Sequence, residues 1–466
     1  MAFLNGRSGN GEDHSTREAQ TRLSPFFCVS FLKSAETPRR KRGKRLKFLN
    51  RPFTKAAYAA APIDFGCTPL RKLIFAVLPV LIAVFIMIAG NGLINTLIPY
   101  RATVEGFSPS MVGLIGSAYF IGMLAGTWTA PSIVRRVGHI RAFAAYSAIV
   151  SVAVLAFPLA ISPFPWVILR ALVGFCFAGL YGVVEGWISA KAGSSHRGRM
   201  LGIYNIANFT GSMAGQQTLR LFEPKSFALF SAAASFLTLA LVPMAMTRAE
   251  PPPIPAKGRL VIRELLKVSL ISVATAVLLG LANGTFWSII PAYVQRLNLG
   301  PGTVASFMTW AILGSALIPW PIGRLSDKFD RRLVIGGLSA AIMVVEIALW
   351  LITKPSPALL YMLGFFAGAF ITAIYPVSVS LSVDRLGPDK AIPVSSTTLF
   401  LYCLGAIVGP TFVASLMTHF GDRIMFAHNA LMHLAMILFV AWGVWREGPA
   451  ANHVKMTIEP PEAPLN

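Results

Sequence analysis

Twelve long apolar stretches run between residues 73 and 446, and the second six repeat the first six at an offset of 192 residues. Asn91-Gly92 falls on Asn283-Gly284, Pro99 on Pro291, Pro109 on Pro301 and Gly122 on Gly314, all without a gap. After small changes of offset, Gly174-Phe175 aligns with Gly364-Phe365, and Gly211 and Gly215 align with Gly405 and Gly409. Chance does not place four such matches in one register. The pattern implies one six-span unit, duplicated and fused, which is the build of bundles that rock around a midplane site.

The solvent for these spans is lipid rather than water. Apolar types make up 55% of the chain and Asp, Glu, Lys and Arg only 13%, too few charges to cover a soluble surface of this size. Most spans exceed the ~20 residues that cross ~30 Å of hydrocarbon as a helix. They are placed at 73–98, 109–133, 142–161, 164–190, 200–219, 226–247, 268–294, 302–323, 333–353, 357–383, 391–417 and 424–445. The fold class expected is all-α, with twelve transmembrane helices in two pseudo-symmetric bundles. The first bundle covers 73–247, a Pro-rich linker 248–267, the second bundle 268–446 and a tail 447–466.

A formal charge of +22 on a soluble chain would point to nucleic acid, but its location argues otherwise. With the N-terminus in the cytoplasm, the five inner loops carry 17 Lys and Arg, and the six outer loops carry Arg101, Arg220, Lys225, Arg296, Lys354 and Arg423. That bias places both termini inside and predicts no nucleic-acid partner. The leader 1–72 holds the block Arg39-Arg40-Lys41-Arg42 and reads as a solvated, disordered segment that helps to anchor the first helix and can touch anionic lipid. It is no cleavable signal, because the apolar run after it is too long and heads a repeat.

Cys28, Cys67, Cys176 and Cys403 form no Cys-x-x-Cys pair, and His139, His196, His419, His428 and His433 show no metal-ligand spacing. No phosphate loop or nucleophile elbow is present in the sequence. The expectation is a protein that is not an enzyme and carries no cofactor and no metal.

Between the eighth and ninth spans the chain reads Gly323-Arg324-Leu325-Ser326-Asp327-Lys328-Phe329-Asp330-Arg331-Arg332. This resembles the cytoplasmic signature loop of the major facilitator superfamily, with Asp330 in place of the pattern's second Gly. A weaker copy from Pro131 to Arg141 has Arg135 where the pattern has Asp. Arg170-x-x-x-Gly174 in the fourth span strengthens the likeness. Pro321-Ile322-Gly323, Val183-Val184-Glu185 and Gly409-Pro410 are most similar to the bacterial YcaD-like branch. The resemblance implies a central cavity lined by spans 1, 4, 7 and 10 and opened alternately to each side. It also implies a cytoplasmic gate at Gly323, Asp327, Arg331, Arg332 and Asp384. There Asp327 sits at the helix N-terminus of span 5, near Arg199 and Met200, and Arg331 or Arg332 pairs with Asp384. The alternative is that these charges only set topology.

Arg170, Glu185 and Glu346 lie well inside apolar spans, where a lipid-facing charge costs ~2.5 to 3.5 kcal/mol or more. Arg170, Gly174, Tyr181 and Glu185 share one stripe of span 4. The resemblance ties the arginine to proton coupling, and an embedded carboxylate is a natural proton carrier because burial disfavours its charged form. The alternatives are a hydrogen bond from Arg170 to carbonyls of span 1 and a salt bridge from Glu185 to Arg197 or Arg199. Glu346, on span 9, reads as structural. Asn91, Asn95, Asn205, Asn208, Gln216 and Asn283, with Trp287, Tyr375 and Tyr402 as stacking surface, complete the candidate pathway and suit a neutral or zwitterionic solute. The alternatives are interhelical hydrogen bonds and, at Asn91 and Asn283, helix distortion by the glycine that follows. Drug/proton antiporters of the superfamily carry Gly-Pro on span 5, whereas Gln216 follows Gly215 here, so the direction of movement stays open.

The function expected is secondary active transport of a small organic solute across the bacterial inner membrane, coupled to protons, by a monomer. The alternative is a transporter-shaped sensor or scaffold that signals through residues 1–72.

Overall fold

The computed structural model describes residues 70–247 and 260–447, apart from the side chains of 70–73, 75–76 and 193–195. Most of the basic leader, residues 248–259 of the linker and the tail beyond Glu447 lie outside the described residues. Among those described, every regular element is helical: α1 (Leu70–Val104), α2 (Pro109–Val137), α3 (His139–Ala156), α4 (Pro163–Thr218), α5 (Ala228–Leu239), α6 (Leu241–Ala245), α7 (Ile262–Val268), α8 (Leu270–Arg296), α9 (Pro301–Leu317), α10 (Pro319–Ser326), α11 (Arg331–Leu351), α12 (Pro357–Leu386), α13 (Ala391–Phe420) and α14 (Ile424–Glu447). Helices are forced by the solvent, because hydrocarbon offers nothing to satisfy an open N–H or C=O. Several start on the same local chemistry: Ser108 and Ser356 accept from the backbone N–H groups of Met111 and Leu359, and Pro109 and Pro357 follow at the first helical position. Val152, Phe164, Leu239, Val344 and Leu438 lie exposed, as a bilayer-facing surface requires.

Eleven helices among the described residues are long and apolar enough to cross a membrane. The twelfth stretch expected, 200–219, is no separate helix but the end of the run that begins at Pro163. That run folds back on itself. Tyr204 Oη donates to Glu185 Oε1 at 3.1 Å, whereas 19 residues of straight helix would hold them ~28 Å apart. The returning arm carries Asn205, Asn208, Ser212, Gln216 and Gln217, which explains why it lacks the apolar window of the others. The expected linker 248–267 is described only from residue 260. Its described end is helical, as α7, and is tied to the C-terminal helices by Val261 N–H to Thr397 Oγ1 at 2.8 Å and by Lys390–Glu264 at 2.6 Å. Glu447, expected in the tail, closes α14 instead.

Glycine contacts reproduce the duplication in three dimensions. A Cβ on Gly211 or Gly215 would fall 2.5 Å from Phe85 O or 2.0 Å from Ala89 O, and one on Gly405 or Gly409 would fall 2.2 Å from Val277 O or 2.3 Å from Leu281 O. Phe85 and Ala89 are the repeat-mates of Val277 and Leu281. Gly122 meets Ala171 O at 1.8 Å, and its mate Gly314 meets Phe365 O at 2.0 Å. Gly174 packs on Tyr119 O at 2.1 Å, and the glycine packed on the matching Ala311 O, at 1.9 Å, is Gly368. The structural mate of Gly174 is therefore Gly368, not Gly364, which meets the Phe307 ring. Close backbone approach replaces the hydrophobic drive that lipid removes.

Gly122→Leu should force α2 from α4, because the obstructing atom is backbone. The expected cost is about 1–3 kcal/mol, read as a melting temperature several degrees lower in detergent. Gly182→Ala, whose Cβ meets nothing within 4 Å, should leave melting unchanged.

Candidate functional site

A cavity of about 170 Å³ lies between the two sets of helices. On the N-terminal side its wall is formed by Asn91 and Asn95 of α1, Tyr119 of α2, and both arms of α4 through Arg170, Asn208 and Gln216. On the other side stand Asn283 and Trp287 of α8, Tyr375 of α12 and Tyr402 of α13. Nine of the eleven expected pathway residues thus share one cavity; Glu185 and Asn205 do not line it.

Arg170 is the one cationic side chain of this lining, and no carboxylate accompanies it. Its Nη2 donates to Asn95 Oδ1 at 2.8 Å, and its guanidinium carbon lies 4.4 Å from the Tyr119 ring centroid. The arginine thus binds α1 through a side-chain amide, not through the backbone carbonyls that were the alternative. Its Nη1 is buried without a hydrogen-bond partner. Gln216 Nε2 donates to Gly92 O at 2.9 Å, which fixes the amide and leaves Oε1 buried and unpartnered. Asn91 Nδ2 donates to Tyr181 Oη at 3.0 Å, and the Oδ1 atoms of Asn91 and Asn283 are likewise unpartnered. One charged donor and three amide carbonyl acceptors on residues that line the cavity are therefore buried without a protein partner. Such groups are costly to leave unmet.

α1 and α8 continue through the glycines after Asn91 and Asn283, and a Cβ at Gly92 or Gly284 would fall 2.7 Å from Ser212 O or from Ala406 Cα. Tyr375 and Tyr402 meet edge to face, with ring centroids 5.4 Å apart, and form an aromatic wall.

Glu185 stands off the cavity. Tyr204, which donates to Glu185, stands one helical turn before Asn208 of the cavity wall. The expectations from sequence omit Tyr204, although it shares a helix face with Asn208 at i,i+4. They also omit Tyr119, an aromatic within an apolar span whose role depends on Arg170 reaching it from another helix. Glu346 lies away from the cavity lining, against His433 of α14.

The expected gate has a different arrangement. Arg331 Nε lies 2.6 Å from Asp384 Oδ2, an ion pair without an aligned hydrogen bond, and Arg331 Nη2 lies 3.4 Å from Asp327 Oδ1. Buried Arg332 reaches Asp330 at 2.7 Å and Glu447 at 3.1 Å. These partners all belong to the C-terminal helices, so the ion pairs tie α11 to α12 and α14 rather than one half to the other. No separate helix starts near Arg199 and Met200, which lie within the α4 run where it doubles back. The Asp330 departure also finds its reason: its carboxylate caps α11 by accepting from Arg332 N–H at 2.9 Å. A Cβ on Gly323 would meet nothing within 4 Å.

Direct bonds between the halves appear at the face opposite the basic loops. Ser117 Oγ lies 2.7 Å from Thr411 Oγ1, Gln217 Nε2 donates to Thr309 Oγ1 at 2.6 Å, and Arg220 donates to Ser306 Oγ and Gly302 O. No motif announces them, because scattered hydroxyls on helix faces carry no pattern.

The sequence pattern of the Major Facilitator Superfamily matches residues 80–300 and, again, 272–465. The uncharacterized MFS-type transporter YcaD of Escherichia fergusonii is 26% identical over 350 residues, covering 74% of this chain and 90% of that protein. YcaD of Escherichia coli K12/DH10B matches at the same identity and coverage. Among solved structures, the nucleoside transporter NupG superposes with a TM-score of 0.66 at 12% identity, over 80% of this chain and 99% of its own. A D-xylose-proton symporter reaches 0.62 at 14% identity, over 79% and 97%. With duplicated helical halves, a cavity between them and a sequence match across most of its length, the chain belongs to the Major Facilitator Superfamily.

Proposed function

We propose that this multi-pass membrane protein is a secondary transporter that moves a small organic solute through the cavity by alternating access, coupled to protons. The observation that carries the reading is a set of buried polar atoms without a protein partner on residues that line the cavity: Arg170 Nη1 and the amide oxygens of Gln216, Asn91 and Asn283. A solute that satisfies them carries one anionic group for Arg170 and N–H or O–H donors for the amides, beside an aromatic wall. A small zwitterion fits this chemistry. Family membership supports transport as the activity, and the name of the D-xylose-proton symporter supports proton coupling as a property compatible with the fold.

The halves 73–247 and 268–446 act as the two rocking bodies, with α4's returning arm as the twelfth crossing. The excess of Lys and Arg on one set of loops supports cytoplasmic termini in a bacterial inner membrane. In that orientation the bonds from Ser117, Gln217 and Arg220 close the outer face. The ion pairs of Arg331 and Arg332 brace the inner ends of the C-terminal helices as one body. Glu185, bonded to Tyr204 one helical turn from Asn208, carries the proton.

A thermal-shift screen on the purified protein tests the solute class. Amino-acid-like zwitterions should raise the melting temperature, and analogues without the carboxylate should not; stabilisation by cations alone would overturn the assignment. Arg170→Lys keeps the charge but loses the planar fork. It should weaken binding of the stabilising solute by about 10- to 100-fold, the worth of a hydrogen bond to a charged group.

In proteoliposomes, Glu185→Gln should cut proton-driven accumulation by about tenfold or more, while solute exchange at equal pH stays near wild type. Equal loss of both, or of neither, removes Glu185 from coupling.

A further inference from the structure

The cavity and its Glu185 branch leave one buried ionisable pair unused. His433 Nδ1 on α14 lies 2.8 Å from Glu346 Oε2 on α11, and the two side chains are 0% and 1% exposed. Asn429 lies one turn before His433 on the same helix. Its Nδ2 donates to Ala282 O of α8 at 3.2 Å, and the next residue, Asn283, lines the cavity. His428 of α14 completes the surroundings, with Nδ1 3.1 Å from Asn429 Oδ1 and its ring 5.8 Å from that of Phe412 on α13. The charged groups of α11 and α14, Arg331, Arg332, Arg446 and Glu447, stand near one end of these helices, and Asp422 and Arg423 near the other.

Two observations separate this pair from a mere helix clamp. Glu346 Oε1 and His433 Nε2 are both buried with no hydrogen-bond partner, whereas groups that only hold structure are normally satisfied. The duplication supplies the comparison. In the N-terminal half the matching interface, α3 against α5, is held by neutral hydroxyls: Ser147 Oγ donates to Leu237 O at 2.5 Å, and Ser151 Oγ to Ala234 O at 3.4 Å. The fold joins these helices without charge in one half and places an ionisable pair there in the other.

We propose that His433 and Glu346 form a proton-binding site of the C-terminal half, separate from Glu185. Enclosed as it is here, the pair must be net neutral, because an unbalanced charge in this surrounding is strongly disfavoured. It therefore holds two protons, one between Nδ1 and Oε2 and one on Nε2. When the helices part and admit water, the Nε2 proton passes to a water molecule, and Nδ1–H stays donated to a carboxylate. Asn429, one turn from His433 on α14 and bonded to Ala282 O of α8, carries the change to the helix that bears Asn283. The site stands on its own geometry; its coupling to solute rests on the transport reading.

The test is nitrogen-15 NMR of the full chain, labelled at histidine and held in lipid nanodiscs, titrated between about pH 5 and pH 9, the range histidine covers. The His433 signals are identified by their loss in His433→Asn. The expected result is that Nε2 moves from its protonated to its bare position with rising pH. Glu346→Gln should shift that midpoint by about one pH unit or more. An Nε2 whose protonation is constant across the range, or a midpoint unchanged in a monodisperse Glu346→Gln protein, overturns the proposal. The wild-type titration decides by itself should the variant fail to fold. Proteoliposomes with a trapped pH dye separate the two readings. If His433 titrates in a protein that moves no solute, the transport reading fails and the site stands. If solute moves and His433 is silent, the site fails alone.

Discussion

Close contact between helix backbones is the constraint on which the rest of this structure depends. In hydrocarbon an apolar side chain gains nothing by leaving lipid for a protein neighbour, so helices associate through packing and interhelical hydrogen bonds. Gly211 and Gly215 set α4's returning arm on α1, and Gly405 and Gly409 set α13 on α8 against the matching carbonyls. These contacts decide how near the helices around the cavity stand, and hence whether Gln216 can reach Gly92 O and Arg170 can reach Asn95.

The cavity inherits its chemistry from that packing. A guanidinium held by one amide and one aromatic face keeps its Nη1 buried with no protein group to answer it. The amide oxygens around it are unanswered in the same way. In water such atoms would be solvated; enclosed between helices they are the part of the wall that a solute with matching groups can satisfy. The duplication supplies symmetry of backbone, and divergence supplies the asymmetry of function. Asn91 and Asn283 line the cavity as repeat-mates from the two halves, yet Arg170 has no cationic counterpart on the opposite wall.

The ion pairs at the basic loops illustrate how a recognised motif can take a different role. Arg331 and Asp384 meet, as the loop pattern implies, but among the described residues the ion-pair partners of Arg331 and Arg332 lie on one half. The departure at Asp330 and the extension of α14 to Glu447 explain this, because both supply Arg332 with carboxylates from its own half. Hydroxyls, an amide and the Arg220 guanidinium join the two bodies at the other face instead. The neutral hydrogen bonds among them are modest and can be exchanged for water.

The sequence alone determined the solvent, the helices and the duplication, because apolar length, scarcity of charge and a register of 192 residues are properties of a one-dimensional string. It also determined most of the cavity wall, since Asn91, Asn283, Arg170 and Gln216 are polar groups at positions where lipid would penalise them. Tertiary structure alone decided which glycine is the mate of Gly174, that the run from Pro163 to Thr218 doubles back, and that Tyr204 donates to Glu185. It decided as well that Glu346 meets His433 and that the ion pairs stay within one half. Each of these depends on which faces of distant helices meet and how closely, and helical periodicity within a segment carries no information about its neighbour across the bundle.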